Sequence, residues 1–355
     1  MVYMKNTDLI RWIGFLGVIV LMFSCQKTST DNEEDKMSAP VITGIILPSG
    51  YGGDVVRIQG KYFGDKRDLV KVFFGGQPAE LTELSDTELQ VIIPHLSGKV
   101  VVQVEVATRK SNVQYFQYLQ TVDDQDFARE DRNTVTALMA KGDPMIWVFT
   151  GNSITQGAKH THGSRPYAEI FSERVRYEMD RSRDYVINMG ISGHTLRQIL
   201  ADFDHRVTQF NPSVVFCMVG TNDAAANSGS TVAQYGEQLE TFISRVRTMG
   251  AVPILLTPSP IITNLAPERA TLWNYVNKMR EVAVEQHVIL VDNWSHWQNE
   301  LNQKYRSGIF RELLNDPIHP NDQGHKEIAS ALFKELGIFD ANQPTGGAPY
   351  YEGEH

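Results

Sequence analysis

Cysteine is nearly missing from this chain, with only Cys25 and Cys217 among 355 residues, so a fold stapled by several disulfides is excluded. Clustered basic residues are missing too. The formal net charge is -9, from 33 Lys and Arg against 42 Asp and Glu, and without a basic run there is no footprint for a phosphate backbone, so nucleic acid is excluded as a partner. The N-terminal apolar run, Trp12 to Phe23, is twelve residues long, short of the roughly 20 that a membrane-spanning helix needs. Ligand-spaced groups of His, Cys, Asp and Glu are also lacking, so neither a metal nor any other cofactor is expected. What is present is ordinary for a folded, water-facing chain: 42% hydrophobic and 21% charged residues, over a length that suits two domains.

Lys5 and Arg11 precede the apolar run, and Ser24 and Cys25 follow it, the pattern of an export signal cleaved after a small residue. The segment resembles a bacterial lipoprotein signal, although Met22 and Phe23 depart from the usual lipobox. The resemblance implies removal of residues 1–24, lipidation of Cys25, and an exported protein anchored to the bacterial cell envelope, at the outer membrane or cell surface. A plain secretory peptide with an incidental cysteine is the alternative. With Cys25 lipidated, Cys217 has no disulfide partner. It sits in the apolar run Val214 to Val219 and reads as a buried, inert thiol. Residues 25–38 are polar and carry four acidic groups between Asp31 and Asp35; they read as a tether.

From 39 to 119 the pattern changes to short β-branched or alternating runs (VITGIIL, DVVRIQG, VKVFFG, LQVIIP, KVVVQVEVA) separated by Gly, Pro, Asp and Ser, which predicts an all-β module. Pro40, GKYFG (Gly60 to Gly64), VFFGG (Val72 to Gly76) and LQVIIP (Leu89 to Pro94) make this module similar to an IPT/TIG domain. That implies an immunoglobulin-like sandwich whose motifs are structural. Tyr51, Tyr62 and Phe63 are candidates for a sugar-binding surface, with core or turn packing the commoner role; a spacer between enzyme and anchor is the default reading of the module.

Residues 120–144 read as a mainly helical connector with an acidic start and a Lys141–Gly142 end. From 145 to 340 strand-like runs (MIWVFT, YVINMG, VVFCMVG, VPILLT, VILVD) alternate with helix-patterned segments near 167–180, 196–210, 232–249 and 267–287. Such alternation predicts an α/β fold, a parallel sheet covered by helices on both faces, with ligands at the carboxyl ends of its strands. Residues 341–355 form a C-terminal tail.

Four polar and glycine-bearing motifs are expected at those strand ends: TGNSITQG (Thr150 to Gly157), NMGISGHT with Gly190 and Gly193, MVGTNDA with Gly220 and Asn222, and NDPIHPNDQGH (Asn315 to His325). Taken singly each is an ordinary loop; a Ser after a strand, such as Ser153, is more often a cap. In the fourth, Asp316 and His319 stand three residues apart, so the carboxylate could orient the imidazole. A metal site is the rival reading of that pair and of His160 and His162, and would require further ligands converging from elsewhere; His160 and His162 are expected to line a loop or the substrate cleft.

In order, GNS, N-x-G-x-S-G, G-T-N-D and D-x-x-H-P resemble the four sequence blocks of the SGNH (GDSL-like) hydrolase family. The resemblance implies a three-layer α/β/α serine esterase with Ser153 as nucleophile, His319 as base and Asp316 as its orienter. It assigns the oxyanion hole to the N–H groups of Ser153 and Gly193 and the side-chain amide of Asn222. Asn152 stands where the family usually has aspartate. No G-x-S-x-G elbow occurs, which argues against an ordinary α/β-hydrolase. An exported, lipid-anchored chain with an IPT/TIG-like module resembles bacterial surface glycan-degrading machinery, which implies O-deacetylation of a carbohydrate. A lipid or lysophospholipid esterase and an inactive glycan-binding surface lipoprotein are the alternatives. Trp273, Trp294 and Trp297 are candidates for sugar stacking, against the commoner role of core packing.

Overall fold

The computed structural model describes residues 38–118, 127–157 and 159–350. The signal segment, Cys25, nearly all of the tether, the start of the connector and the last five residues of the tail lie outside the described residues.

The N-terminal module is the expected β-sandwich. Its strands are β1 (Val41–Ile46), β2 (Ser49–Gly50), β3 (Val55–Lys61), β4 (Val70–Phe74), β5 (Gln77–Leu84), β6 (Glu88–Ile92), β7 (Lys99–Val106), β8 (Arg109–Lys110) and β9 (Gln114–Tyr118). They pair in the order β1-β3-β6-β5-β4-β7-β9-β2, with β8 on β7, antiparallel except where β2 meets β9. β5 passes from one sheet to the other, pairing with β4 through Gln77 to Ala79 and with β6 through Glu80 to Leu84. Alternate residues point inward, among them Ile42, Ile58, Phe74, Leu89, Val102 and Phe116, as the two-residue period of a strand requires. Phe63 belongs to this core, so it is no part of a sugar-binding surface; Tyr62 is 47% exposed.

Helix Arg129–Ala140 leads into a parallel sheet of β10 (Ile146–Gly151), β11 (Tyr185–Gly190), β12 (Val214–Met218), β13 (Val252–Leu256) and β14 (Ile289–Val291), in the order β11-β10-β12-β13-β14. Strands β12, β13 and β14 are apolar and buried at every position, because both faces of the sheet are covered there. Val148, Val215, Cys217, Leu255 and Leu290 face one core, and Trp147, Phe149, Phe216, Ile254 and Ile289 face the other. Cys217 is fully buried, and burial pushes its thiol far above the ordinary range, the inert state expected of it. Helix Val232–Thr248 opens on a capping box of Thr231 and Gln234 and buries Leu239, Phe242, Ile243 and Val246. On the opposite face, helix Asp322–Glu335 is capped by Asn321 and buries Ile328, Ala329, Leu332 and Phe333.

Two helices depart from the expected pattern. The segment near 196–210 is broken into Leu196–Ala201, Phe203–Arg206 and a tight turn at Thr208–Phe210. Phe203 and Arg206, three residues apart and so on one face of the second piece, are both buried. After Glu173 the helix that begins at Tyr167 widens into a π turn over Arg174–Glu178.

The sandwich docks tightly against the α/β domain. Ile46 and Leu47 join Trp297, Leu301, Ile309, Leu313 and Leu314 in one apolar cluster. Arg57, 3% exposed, donates from Nη1 to the backbone and side-chain oxygens of Asn302 at 2.8 Å, and Asn302 Nδ2 donates to Val55 O at 2.6 Å. Tyr51 lies over the guanidinium of Arg280, 5.1 Å from ring centre to cation, while Arg280 grips Asp292 with two hydrogen bonds of 2.7 and 3.0 Å. Tyr51 is therefore an interface residue, as are Trp294 and Trp297 core residues at 5% and 0% exposure; none of the three offers a face to a sugar.

Candidate active site

In a doubly wound sheet of this order the loops after the first and third strands diverge on either side of the reversal in strand order, leaving a crevice at their carboxyl ends. β10 and β12 are those strands, and TGNSITQG and MVGTNDA leave them. NMGISGHT leaves β11 alongside. The fourth motif does not come off a strand. It forms the loop between helices Ile309–Leu313 and Asp322–Glu335, closed by a bridge of Leu314 with Pro320. Two prolines, Pro317 and Pro320, make a strand there unfavourable by removing ladder donors.

The loops bring three predicted side chains into a line. Ser153 Oγ lies 2.8 Å from His319 Nε2, and His319 Nδ1 lies 2.7 Å from Asp316 Oδ2. Asp316 Oδ1 accepts from the backbone N–H groups of Ile318 and His319, both at 2.9 Å, so the carboxylate is held from both oxygens. Burial raises the Asp316 carboxyl, but the Ile318 N–H and the His319 ring outweigh it and hold the group below its ordinary range. The pair stays open to solvent, His319 at 21% and Asp316 at 38% side-chain exposure.

Ser153 opens a four-residue helix, Ser153–Gln156, capped by Asn152, whose Oδ1 accepts from Ile154 N at 3.0 Å. The asparagine thus satisfies the turn that carries Ser153, as a carboxylate would, without adding a charge to the buried position. This turn sits against Gly190, where a Cβ would lie 2.3 Å from Gln156 N, so only glycine permits the approach. Gln156 Oε1 in return accepts from Ser192 N and Oγ at 2.8 and 2.7 Å. Gly193 follows at φ +80°, a conformation cheap only for glycine. Neither the Ser153 nor the Gly193 N–H donates to another group among the described residues. Asn222 Nδ2 donates to His194 O at 3.0 Å, which ties the third loop to the second and leaves its other N–H available.

Three supporting residues escaped the sequence reading. Asp223, fully buried, accepts from Gly220 N at 2.9 Å and Leu196 N at 2.8 Å, and burial raises its carboxyl. It lies inside G-T-N-D, next to the residue the motif singled out. Arg206, also fully buried, donates from Nη2 to Gly151 O at 2.8 Å and Met189 O at 2.6 Å and lies 3.1 Å from His194 Nδ1. It joins the ends of β10 and β11 from a distance in sequence that no local pattern reveals. His325 is the third. With His160 it forms a column behind His319: the His160 ring stacks on His319 at 4.3 Å and on His325 at 5.8 Å, and His325 stacks on Tyr167 at 6.1 Å. His160 is thus buried beneath the His319 ring rather than lining a cleft. His162 remains exposed and lies 2.7 Å from Asn315 Oδ1. Among the described residues no three His, Cys, Asp or Glu side chains are grouped as a metal site would need.

Comparison with known proteins agrees with this architecture. The model of the GDSL-like lipase/acylhydrolase family matches residues 149–327, and that of the IPT/TIG domain matches residues 40–119. An acetylxylan esterase of Geobacillus stearothermophilus is 26% identical over 208 residues, covering 54% of this chain and 93% of the relative. An uncharacterized lipoprotein of Bacillus subtilis is 28% identical, covering 42% and 71%, and a "probable rhamnogalacturonan acetylesterase" of Bacillus subtilis is 27% identical, covering 35% and 63%. With the family match extending over half of its residues and the α/β domain folded around all four blocks, the chain belongs to the GDSL-like lipase/acylhydrolase family.

Proposed function

We propose that the protein is a serine esterase that removes acetyl groups from a carbohydrate, exported and held at the bacterial cell envelope by a lipid on Cys25. The observation that carries the catalytic part is the unbroken hydrogen-bonded line from Ser153 through His319 to Asp316. In this reading His319 Nε2 takes the Ser153 proton as Oγ attacks the ester carbonyl, and Asp316 fixes the tautomer and offsets the imidazolium charge. The alcohol leaves with the proton from His319, and water activated by the same ring hydrolyses the acyl-enzyme. The tetrahedral oxyanion is received by the N–H groups of Ser153 and Gly193 and the free N–H of the Asn222 amide.

Three sequence relatives support the finer assignment: one named for acetylxylan, one for rhamnogalacturonan acetyl groups, and one named a lipoprotein. The solvent-open setting of His319 and Asp316 suits an ester carried on a bulky polymer better than an acyl chain that must be buried. Acetate release from acetylated xylan, read beside hydrolysis of p-nitrophenyl esters of increasing acyl length, tests the reading. Release from the polymer with rates that fall beyond acetate is expected; rates that rise with acyl length, and no acetate from the polymer, would assign a lipid esterase instead.

Replacing Asn222 by alanine should lower kcat on p-nitrophenyl acetate about 10²- to 10³-fold with little change in KM, because the lost donor acts on charge that exists only in the transition state. An increase confined to KM would remove Asn222 from the oxyanion site.

A further inference from the structure

Where the sandwich meets the α/β domain lies a groove of about 580 Å³. Its α/β wall is hydrogen-bonded to the loops that carry Asp316 and Asn222. Ile262 N donates to Pro317 O at 2.9 Å, next to Asp316, and Arg269 Nε donates to Thr221 O at 3.0 Å, next to Asn222. Trp273, half-buried, stands on the same wall. The sandwich supplies the opposite wall through β9 and the start of β7: Tyr115 is 53% exposed, and Lys99 Nζ lies 4.7 Å from the centre of its ring. In a chain of net charge -9, the described residues lining this groove include Lys99 and Arg269, the latter ion-paired with its neighbour Glu268, and no Asp or Glu.

Resting on the carbohydrate reading above, we infer that this interdomain groove is a subsite for an acidic glycan: a chain of pyranose rings that bears carboxylates and leads to the acetylated sugar at Ser153. Aromatic side chains on both walls suit the apolar faces of pyranose rings. Lys99 suits a carboxylate, and no acidic residue lines the groove to repel one. The wall formed by the sandwich is fixed in place, because Arg57, Tyr51 and the Ile46–Leu47 cluster lock that module to the α/β domain. The module is then part of the binding site and not a spacer.

The test uses the full mature chain and two variants of exposed sandwich residues, Lys99→Ala and Tyr115→Ala. Acetate release is measured on acetylated hexagalacturonate and acetylated xylohexaose, and each kcat/KM is divided by that for p-nitrophenyl acetate, which is too small to occupy the groove. The wild-type chain should favour the galacturonate, and each variant should lower that ratio about tenfold, the equivalent of one good contact at about 1.4 kcal/mol. An unchanged ratio in both variants, with the wild-type chain active on the galacturonate, overturns the groove. Equal KM for the two oligosaccharides, unaffected by salt, overturns the acidic class. Acetate release from neither by the wild-type chain removes the carbohydrate reading itself, and the groove with it.

Discussion

Replacing Ser153 by alanine is expected to lower kcat on p-nitrophenyl acetate by about 10⁵- to 10⁶-fold while leaving the thermal midpoint within a degree or two of wild type. The change deletes one oxygen at the half-buried first position of a helix that Asn152, not Ser153, caps, so little folding energy is at stake. What disappears is the atom whose proton His319 is placed to take at 2.8 Å. The residual rate should be that of the oxyanion donors and substrate binding alone, which in serine hydrolases still exceeds water by roughly 10³- to 10⁴-fold. Because the three side chains act as a unit, Ser153→Ala/His319→Ala should be no slower than Ser153→Ala by itself. Appreciable turnover in Ser153→Ala, or losses that add in the double variant, would show that another residue attacks the ester.

The second large effect concerns acid. Burial, reinforced by the neighbouring His319, pushes His160 down to about 4, and burial together with His160 and His319 pushes His325 down to about 3. Neither Nε2 finds a hydrogen-bond partner among the described residues, so a proton there would be poorly compensated. Unfolding restores both rings to an ordinary value near 6.5, so below that pH the unfolded chain binds protons that the folded chain refuses. The stability is complete above pH 6.5 and is lost as pH falls toward 4. The slope approaches about 1.4 kcal/mol per pH unit for each ring, and about 2 to 3 for both. Asp316 works further down, since its depressed carboxyl contributes stability that disappears only below the ordinary carboxylate range. Urea midpoints at pH 7.5, 6.0 and 5.0 measure the effect. His160→Phe, which keeps a ring in the stack but cannot titrate, should flatten the slope by about one proton's worth; identical slopes in the two proteins would discard the neutral column.

Much of this site was legible because its chemistry is carried by short contiguous blocks. Ser153, Gly193, Asn222, Asp316 and His319 each sit in a motif whose neighbours force a turn, and the structure brings His319 within hydrogen-bonding distance of both Ser153 and Asp316. The parallel sheet was legible for a similar reason, because apolar runs such as VVFCM and VPILL, covered on both faces, alternate with helix-patterned segments. What escaped depends on contacts between distant segments. Arg206 reaches Gly151 across 55 residues, and nothing beside Arg206 in the chain marks it as buried. The ring column joins His160, His319 and His325 from a loop, a second loop and a helix, and looks in the sequence like scattered polar residues. The broken helix near 196–210 failed as a single element because amphipathic spacing continues through Asp202, where the backbone leaves the helix at φ -115°, ψ 25°.

Arg206 also limits which parts of this enzyme can be exchanged. A single guanidinium group binds carbonyls near the ends of two strands, Gly151 of β10 and Met189 of β11. The segment carrying Ser153 and the segment carrying Gly193 are therefore not independent inserts on a neutral scaffold. A chimera that replaces either one alone must present a carbonyl at the same place, or it leaves a dry cation short of an acceptor. Recombination within the family should accordingly keep both strand ends and Arg206 together as one inherited block.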